Sequence, residues 1–371
     1  MQRREFIWTS VALAAGVMWP VRRGMAAFDP SPEHGWRVFD VTTRVDVLQP
    51  EGATRTWLPL PSVQEEGWIR NMGNLWQGNA QTVRLLRNPQ YGAEMLYAEW
   101  APGEKPVLEV TSRFATRDRA VDLGRSARPA PLSRVDRQRY TRATQLLPTD
   151  GIVKKTALDI TRGARTDQER ARAIYEWVVD NTFRNPKTRG CGRGDIRFML
   201  ESRDLSGKCA DLNALYVGLA RAAGLPARDV YGIRVADSRF GYKSLGKSGD
   251  ISKAQHCRAE VWLAGHGWVP VDPADVRKVV LEEPPGNLAL DDAKVADVRK
   301  RLFGSWEMNW LAYNTAHDLP LPGSRGVTVP FLMYPQAETA AGMLDSLDAA
   351  AFGYQITSKE LSGENARGAQ S

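Results

Sequence analysis

An α+β fold is what this sequence predicts, and three observations carry that reading. Short runs with period-two alternation fill the region from about 34 to 120. An amphipathic helix opens at Cys209. Two strand-like runs joined by Gly265-His266-Gly267 follow it, between His256 and Asp272. Strands and helices that cluster in separate stretches, rather than alternating, belong to the α+β class.

Taken from the start, Arg3-Arg4-Glu5-Phe6-Ile7 precedes an apolar run from Trp8 to Trp19 and then Gly24-Met25-Ala26-Ala27. A basic start, a short apolar stretch and small residues at a cleavage point describe an export signal over 1–27. The paired arginines before Phe-Ile resemble a twin-arginine leader, which the twin-arginine export machinery reads on folded proteins. No cysteine follows the apolar run to take a lipid anchor, and no later run approaches the ~20 apolar residues of a membrane span. The expectation is a periplasmic protein, soluble after signal removal.

Residues 28–120 are expected to form a β-sandwich-like domain with a structural role. Val38 to Val47 alternates as a half-buried strand does, Arg55-Thr56-Trp57-Leu58 stops at Pro59-Leu60-Pro61, and 94–100 and 107–114 are split by Pro102-Gly103. Residues 121–145 read as a linker, rich at first in Arg, Pro, Ala and Ser. Helical spacing begins in the next unit, 146–285, with Thr166-Asp167-Gln168-Glu169 as a capping box. A glycine-bearing segment, 183–200, is expected to loop beside Cys209. The Cys209 helix should end near Ala223, with Gly224 as its left-handed cap and Pro226 beyond. A strand over 229–235, a polar surface loop over 237–253 and the hairpin complete this unit. Residues 286–371 read as a C-terminal extension with strand-like pieces at 326–335 and 351–361 and a disordered final ten residues.

Composition narrows the function classes. The chain has 371 residues, enough for two or three domains. Its formal charge is +7, of which Arg3, Arg4, Arg22 and Arg23 against Glu5 supply +3 within residues 1–27. The remainder is only mildly basic and has no lysine-arginine block with interleaved aromatics, so nucleic acid is not an expected partner. Three cysteines do not make a complete disulfide framework. Cys191 and Cys257 either bridge, leaving Cys209 free, or stand as small buried residues, and the second reading is preferred. Four scattered histidines without a CxxC pair give no zinc site, and no cofactor is expected.

The chemistry centres on Ser206-Gly207-Lys208-Cys209-Ala210-Asp211. A thiol at a helix N-terminus feels the partial positive charge of unpaired N–H groups, which favours the thiolate. His256 is positioned in order to act as base and acid, and Asp272 to orient it. The backbone N–H of Cys209 is one oxyanion donor; Asn185 and Trp177 are candidates for the second. One difficulty is geometric. A simple hairpin pairs Asp272 with a residue near Glu260, which leaves His256 four residues away, roughly 13 Å along the strand. Unless twist, a bulge or a shifted turn closes that gap, Glu260 or Asp275 becomes the rival acid.

Gly207-Lys208-Cys209-Ala210-Asp211, Leu219 to Arg228, His256-x-x-x-Glu260-Val261 and Gly267-Trp268-Val269-Pro270-Val271-Asp272-Pro273 together resemble the bacterial transglutaminase-like superfamily over about 150–280. The resemblance implies a papain-like core in which Cys209 is the nucleophile, His256 the base and Asp272 the orienting acid. It implies acyl transfer from an amide through a thioester. Water as acceptor gives peptide or isopeptide hydrolysis, the favoured reading, with a peptide or protein substrate that includes cell-wall peptide among its candidates. An amine acceptor gives a cross-linking enzyme, and a non-catalytic scaffold is the third alternative.

Overall fold

The computed structural model describes residues 35–361 apart from positions 49 and 128. The expected export leader at 1–27 and the expected disordered tail lie outside the described residues. Among those described, no helix is long and apolar enough to cross a membrane.

The N-terminal part is built from β1 (Arg37–Asp46), β2 (Thr54–Leu60), β3 (Ile69–Gly78), β4 (Thr82–Arg87), β5 (Glu94–Trp100) and β6 (Val107–Thr116). β1, β2, β5 and β6 are the four runs whose alternation the sequence displays. β3 and β4 are additions, and burial explains why they are hard to read. Each lies at the edge of its sheet, and Leu75 and Leu85 stand 79% and 57% exposed. A strand with no consistently buried face carries no period-two signal.

Next come α1 (Arg134–Thr141), α2 (Gly151–Ile160), α3 (Asp167–Asn181), α4 (Ile196–Ser202), α5 (Cys209–Ala222), β7 (Ala227–Arg234), β8 (Gln255–Leu263), β9 (Gly267–Val271), α6 (Pro273–Glu282) and α7 (Ala293–Arg301). β10 (Trp310–Asn314), β11 (Gln336–Thr339) and β12 (Tyr354–Leu361) close the chain. α1 falls inside the expected linker, capped by Ser133, whose hydroxyl accepts from Asp136 N–H. α4 occupies the end of the expected loop; its two turns are too short to display a helical period, but Asp195 caps it.

Two antiparallel sheets face each other across one core. One runs β12-β1-β6-β3, with Gly249–Asp250 added outside β12; the other runs β11-β2-β5-β4, with Gly342–Met343 added outside β11. Phe39, Leu58, Leu96, Trp100 and Phe114 fill the space between them. The expected boundary at 286 does not separate the packing. β12 pairs with β1 from Val38↔Leu361 to Val45↔Tyr354, and β11 pairs with β2. Without these partners β1 and β2 would be edge strands with unpaired backbone groups.

A third sheet, β9-β8-β7-β10, carries the hairpin. Its Ile233, Trp310 and Leu311 join the sandwich core. α5 packs against β8 and lies among α2, α3 and α6, with every residue from Cys209 to Ala222 buried. Its C-terminus is closed by Gly224 at φ +90°. Leu225 N–H reaches Ala220 O at 2.9 Å and Gly224 N–H reaches Arg221 O at 2.9 Å, the paired bonds of a Schellman ending. The α3 capping box is present as read, with Thr166 and Glu169 exchanging side chain-to-backbone bonds.

Candidate active site

Helix α5 begins at Cys209 because Asp211, its third residue, gathers three backbone donors. The carboxylate accepts from Lys208 N–H at 3.0 Å and from Arg193 and Gly194 N–H, each at 2.9 Å. This ties the glycine-bearing loop to the helix start. The close approach on both sides of Asp211 needs glycine: a Cβ on Gly192 in the loop would sit 1.8 Å from Asp211 Oδ2, and one on Gly207 before the helix would sit 2.5 Å from Asp211 Cβ. Ala210 N–H is capped by Cys191 O at 2.8 Å. Burial pushes the Asp211 carboxyl up, against the pull of its three N–H donors.

His256 enters from β8. The hairpin register pairs Glu260 with Pro270 and Ala259 with Val271. The expected pairing of Glu260 with Asp272 is therefore displaced by two residues, because the turn is centred one residue earlier. Asp272 comes level with Arg258, and His256 is its diagonal neighbour on the same face. The gap closes without a bulge: His256 Nε2 lies 2.8 Å from Asp272 Oδ2. Glu260 is spoken for elsewhere, in a buried cluster with Arg119 and with Arg228 Nε at 2.5 Å. Asp275 does approach the ring, at 3.4 Å from Nε2. Two carboxylates thus share one imidazole nitrogen, which leaves Nδ1 as the ring atom free for the thiol.

Asp272 is also the N-cap of α6, its Oδ1 accepting from Asp275 N–H at 3.1 Å, with Pro273 at the first helical position. Asn213, one turn after Cys209 on α5, donates to Cys257 O at 2.7 Å and to Asp272 Oδ1 at 3.2 Å. Behind the ring, Trp310 Nε1 donates to His256 O at 3.0 Å. Gly232, paired with His256, makes room for that indole, since a Cβ there would lie 2.4 Å from it.

All three cysteines are free and belong to one buried cluster with Tyr231, Met333 and Tyr334. Cys191 Sγ lies 3.2 Å from Gln255 O, and Cys191 N–H donates to the Tyr334 hydroxyl at 2.9 Å. Hydrogen bonding from Cys191 and then Cys257 brings the Cys209 thiol well below its ordinary range; burial opposes this and His256 adds to it. Burial works against a charged imidazole, but Asp275 and Asp272 outweigh it and hold His256 up to about 9. Burial and the neighbouring Asp275 raise Asp272. Asp275 goes well below the usual carboxylate range despite burial, because Arg234 sits 2.5 Å away. A low thiol beside a high imidazole favours a thiolate-imidazolium pair.

Cys209 and His256, each 4% exposed, line the same cleft of about 710 Å³. Asn185 and Trp177 do not line it: Asn185 turns to Ser206, and Trp177 packs on the helical core. Tyr334 does line it. His256, Asp272 and Asp275 offer three ligand atoms within 4.8 Å of one another, yet both carboxylates already face arginines, Asp275 with Arg234 and Asp272 with Arg258 at 3.6 Å. The set is already neutralised by cations and does not suit a metal.

A family model described as the transglutaminase-like superfamily matches residues 154–273. An uncharacterized protein of Haemophilus influenzae is 36% identical over 344 residues, covering 87% of this chain and 92% of the relative. Among solved structures, one described as "a Putative Cysteine Protease from Cytophaga hutchinsonii" aligns with TM-score 0.50 and 13% identity over 88% of this chain and 99% of that one. The periplasmic domain of TgpA from Pseudomonas aeruginosa aligns with TM-score 0.34 and 17% identity over 63% and 90%.

Proposed function

Because the chain belongs to the transglutaminase-like superfamily, we propose that it is a thiol-dependent acyl-transfer enzyme that hydrolyses peptide or isopeptide bonds in the periplasm. The observation that carries the chemistry is the shared cleft: Cys209 at a helix start and His256, fixed by Asp272 at 2.8 Å, open onto one space. The periplasmic part rests on the Arg3-Arg4 leader pattern.

In this reading the Cys209 thiolate attacks the amide carbonyl carbon. The carbon-sulfur bond forms as the carbonyl electrons move to oxygen, to which the Cys209 N–H can donate a hydrogen bond. Collapse breaks the carbon-nitrogen bond, and the imidazolium passes its Nδ1 proton to the leaving amine. Neutral His256 then takes a proton from water as the water attacks the thioester. The acid departs and the thiolate returns. Asp272 keeps the proton on Nε2 and so leaves Nδ1 for this exchange.

Labelling with an electrophilic amide probe, followed by peptide mapping, tests the assignment. The expected result is a label on Cys209 alone, absent from Cys209→Ala. Equal slow labelling of Cys191, Cys209 and Cys257 would remove its basis. Incorporation of a labelled amine into a glutamine substrate, in preference to hydrolysis, would move the acceptor from water to amine.

A further inference from the structure

The cleft beside Cys209 is lined by Arg184, Lys208, Arg234, Lys247, Lys253 and Lys278, with Asp250 as the acid among its lining residues. Some of this charge is answered within the protein. Arg234 holds Asp275, and Arg184 and Lys278 share Glu282. Lys247 feels Asp250 within the same cleft, but no ion pair with a carboxylate within 4.0 Å is made by Lys208, Lys247 or Lys253 among the described residues. A concave site lined by one sign of charge focuses potential and raises the local concentration of the opposite ion.

The backbone that carries Lys247 and Lys253 is anchored, though both side chains are exposed. Lys247 and Lys253 flank Gly249–Asp250, which pairs with β12, and Ile251 between them is fully buried with its N–H on Ile356 O at 2.8 Å. Lys278 stands on α6, directly after the turn that carries Asp272 and Asp275. Burial and the neighbouring Arg234 pull its ammonium down to about 8, so an anion in the cleft would relieve it. Nucleic acid suits the site poorly, because stacking needs open aromatic faces. The two tyrosines here, Tyr334 and Tyr354, are 8% and 7% exposed, and their hydroxyls are bonded to Cys191 N–H and Ser346 O.

We infer that the substrate is an acidic peptide, whose carboxylates flanking the scissile amide are received by the lysines of this cleft. The inference rests on the amide-hydrolysing reading of the same site and adds its substrate class.

The test is binding of fluorescein-labelled peptides of equal length, with Glu, Gln or Lys at the flanking positions, to the Cys209→Ala chain by anisotropy. The Glu peptide should bind at least about tenfold tighter than the Gln peptide at low salt, and the margin should shrink as salt rises. The margin should fall in Lys208→Gln/Lys253→Gln and persist in Lys155→Gln/Lys300→Gln, which lie outside the cleft. Equal affinity for Glu and Gln peptides would overturn the inference, as would equal loss in the two double variants or an oligonucleotide of the same charge binding as tightly. Acid preference in binding with no cleavage by the unmutated chain would sink the hydrolase reading alone. Cleavage without acid preference would sink the acidic-substrate inference alone.

Discussion

Asn213 Nδ2 lies 3.2 Å from Asp272 Oδ1, so the helix that presents the thiol also grips the carboxylate that faces the imidazole. The same amide group reaches Cys257 O, next to His256, at 2.7 Å. One side chain therefore sets the spacing of helix, strand and N-cap. Asn213→Ala leaves a buried carbonyl and part of a buried carboxylate without a donor. It should cost about 1–3 kcal/mol of stability, read as a lower urea midpoint, and should slow Cys209 alkylation. An unchanged alkylation rate would reduce Asn213 to a packing residue.

Cys209→Ala should keep the fold and lose turnover by at least about 10⁴-fold, as loss of a covalent nucleophile does. Circular dichroism and peptide hydrolysis check the two halves. Turnover retained at a tenth of the original would refute the assigned nucleophile.

The pH profile follows from the two shifts. Activity should rise on the acid side as Cys209 ionises, well below the ordinary thiol range, and fall as pH passes about 9, where His256 loses its proton. Asp272→Asn and Asp275→Asn should each bring the alkaline limb to lower pH. Asp272→Asn should also cut kcat far more, because it makes the shorter bond to Nε2 and fixes the tautomer. Equal kcat losses would make Asp275 the orienting acid. Stability has the same sign: the raised folded-state value of His256 contributes fully below about 6.5, the unfolded value, and that contribution disappears as pH rises through about 9.

Cys191 is a positioning residue in this picture, since its thiol is the largest influence lowering Cys209. Cys191→Ala should leave Cys209 as the labelled residue but shift the acid limb of its iodoacetamide reaction to higher pH. A limb that stays put would show that the helix start and imidazole suffice.

Cys209, His256 and Asp272 could be picked out of the sequence because each sits at a recognisable local joint: a glycine turn into a helix, the head of a strand, an Asp-Pro helix start. Their partners could not. Asp211 and Asn213 read as ordinary polar positions on an amphipathic helix, and their roles depend on Gly192 and Cys257 brought in from elsewhere. Asp275 is legible only as a rival to Asp272; that it joins Asp272 at the same ring nitrogen depends on the first turn of α6. The Glu260 alternative failed for a similar reason: arginines at 119 and 228 claim it, and nothing near Glu260 in the chain announces them. The hairpin register was off by two because Gly265 and Gly267, at φ +90° and +78°, both accept the left-handed turn and do not say which residue is its centre. For the sheets, buried strands announced themselves and exposed edge strands did not.

The pairing of β1 with β12 has a consequence for biogenesis. The first described strand must wait for the last, more than 300 residues later, so a chain synthesised only as far as β11 lacks the partner that completes its leading sheet. Gly249–Asp250, between the cleft lysines Lys247 and Lys253, hangs on that same late strand. The wall of the cleft beside Cys209 is thus completed only once residues 354–361 have been made and have paired with β1 and with Gly249–Asp250.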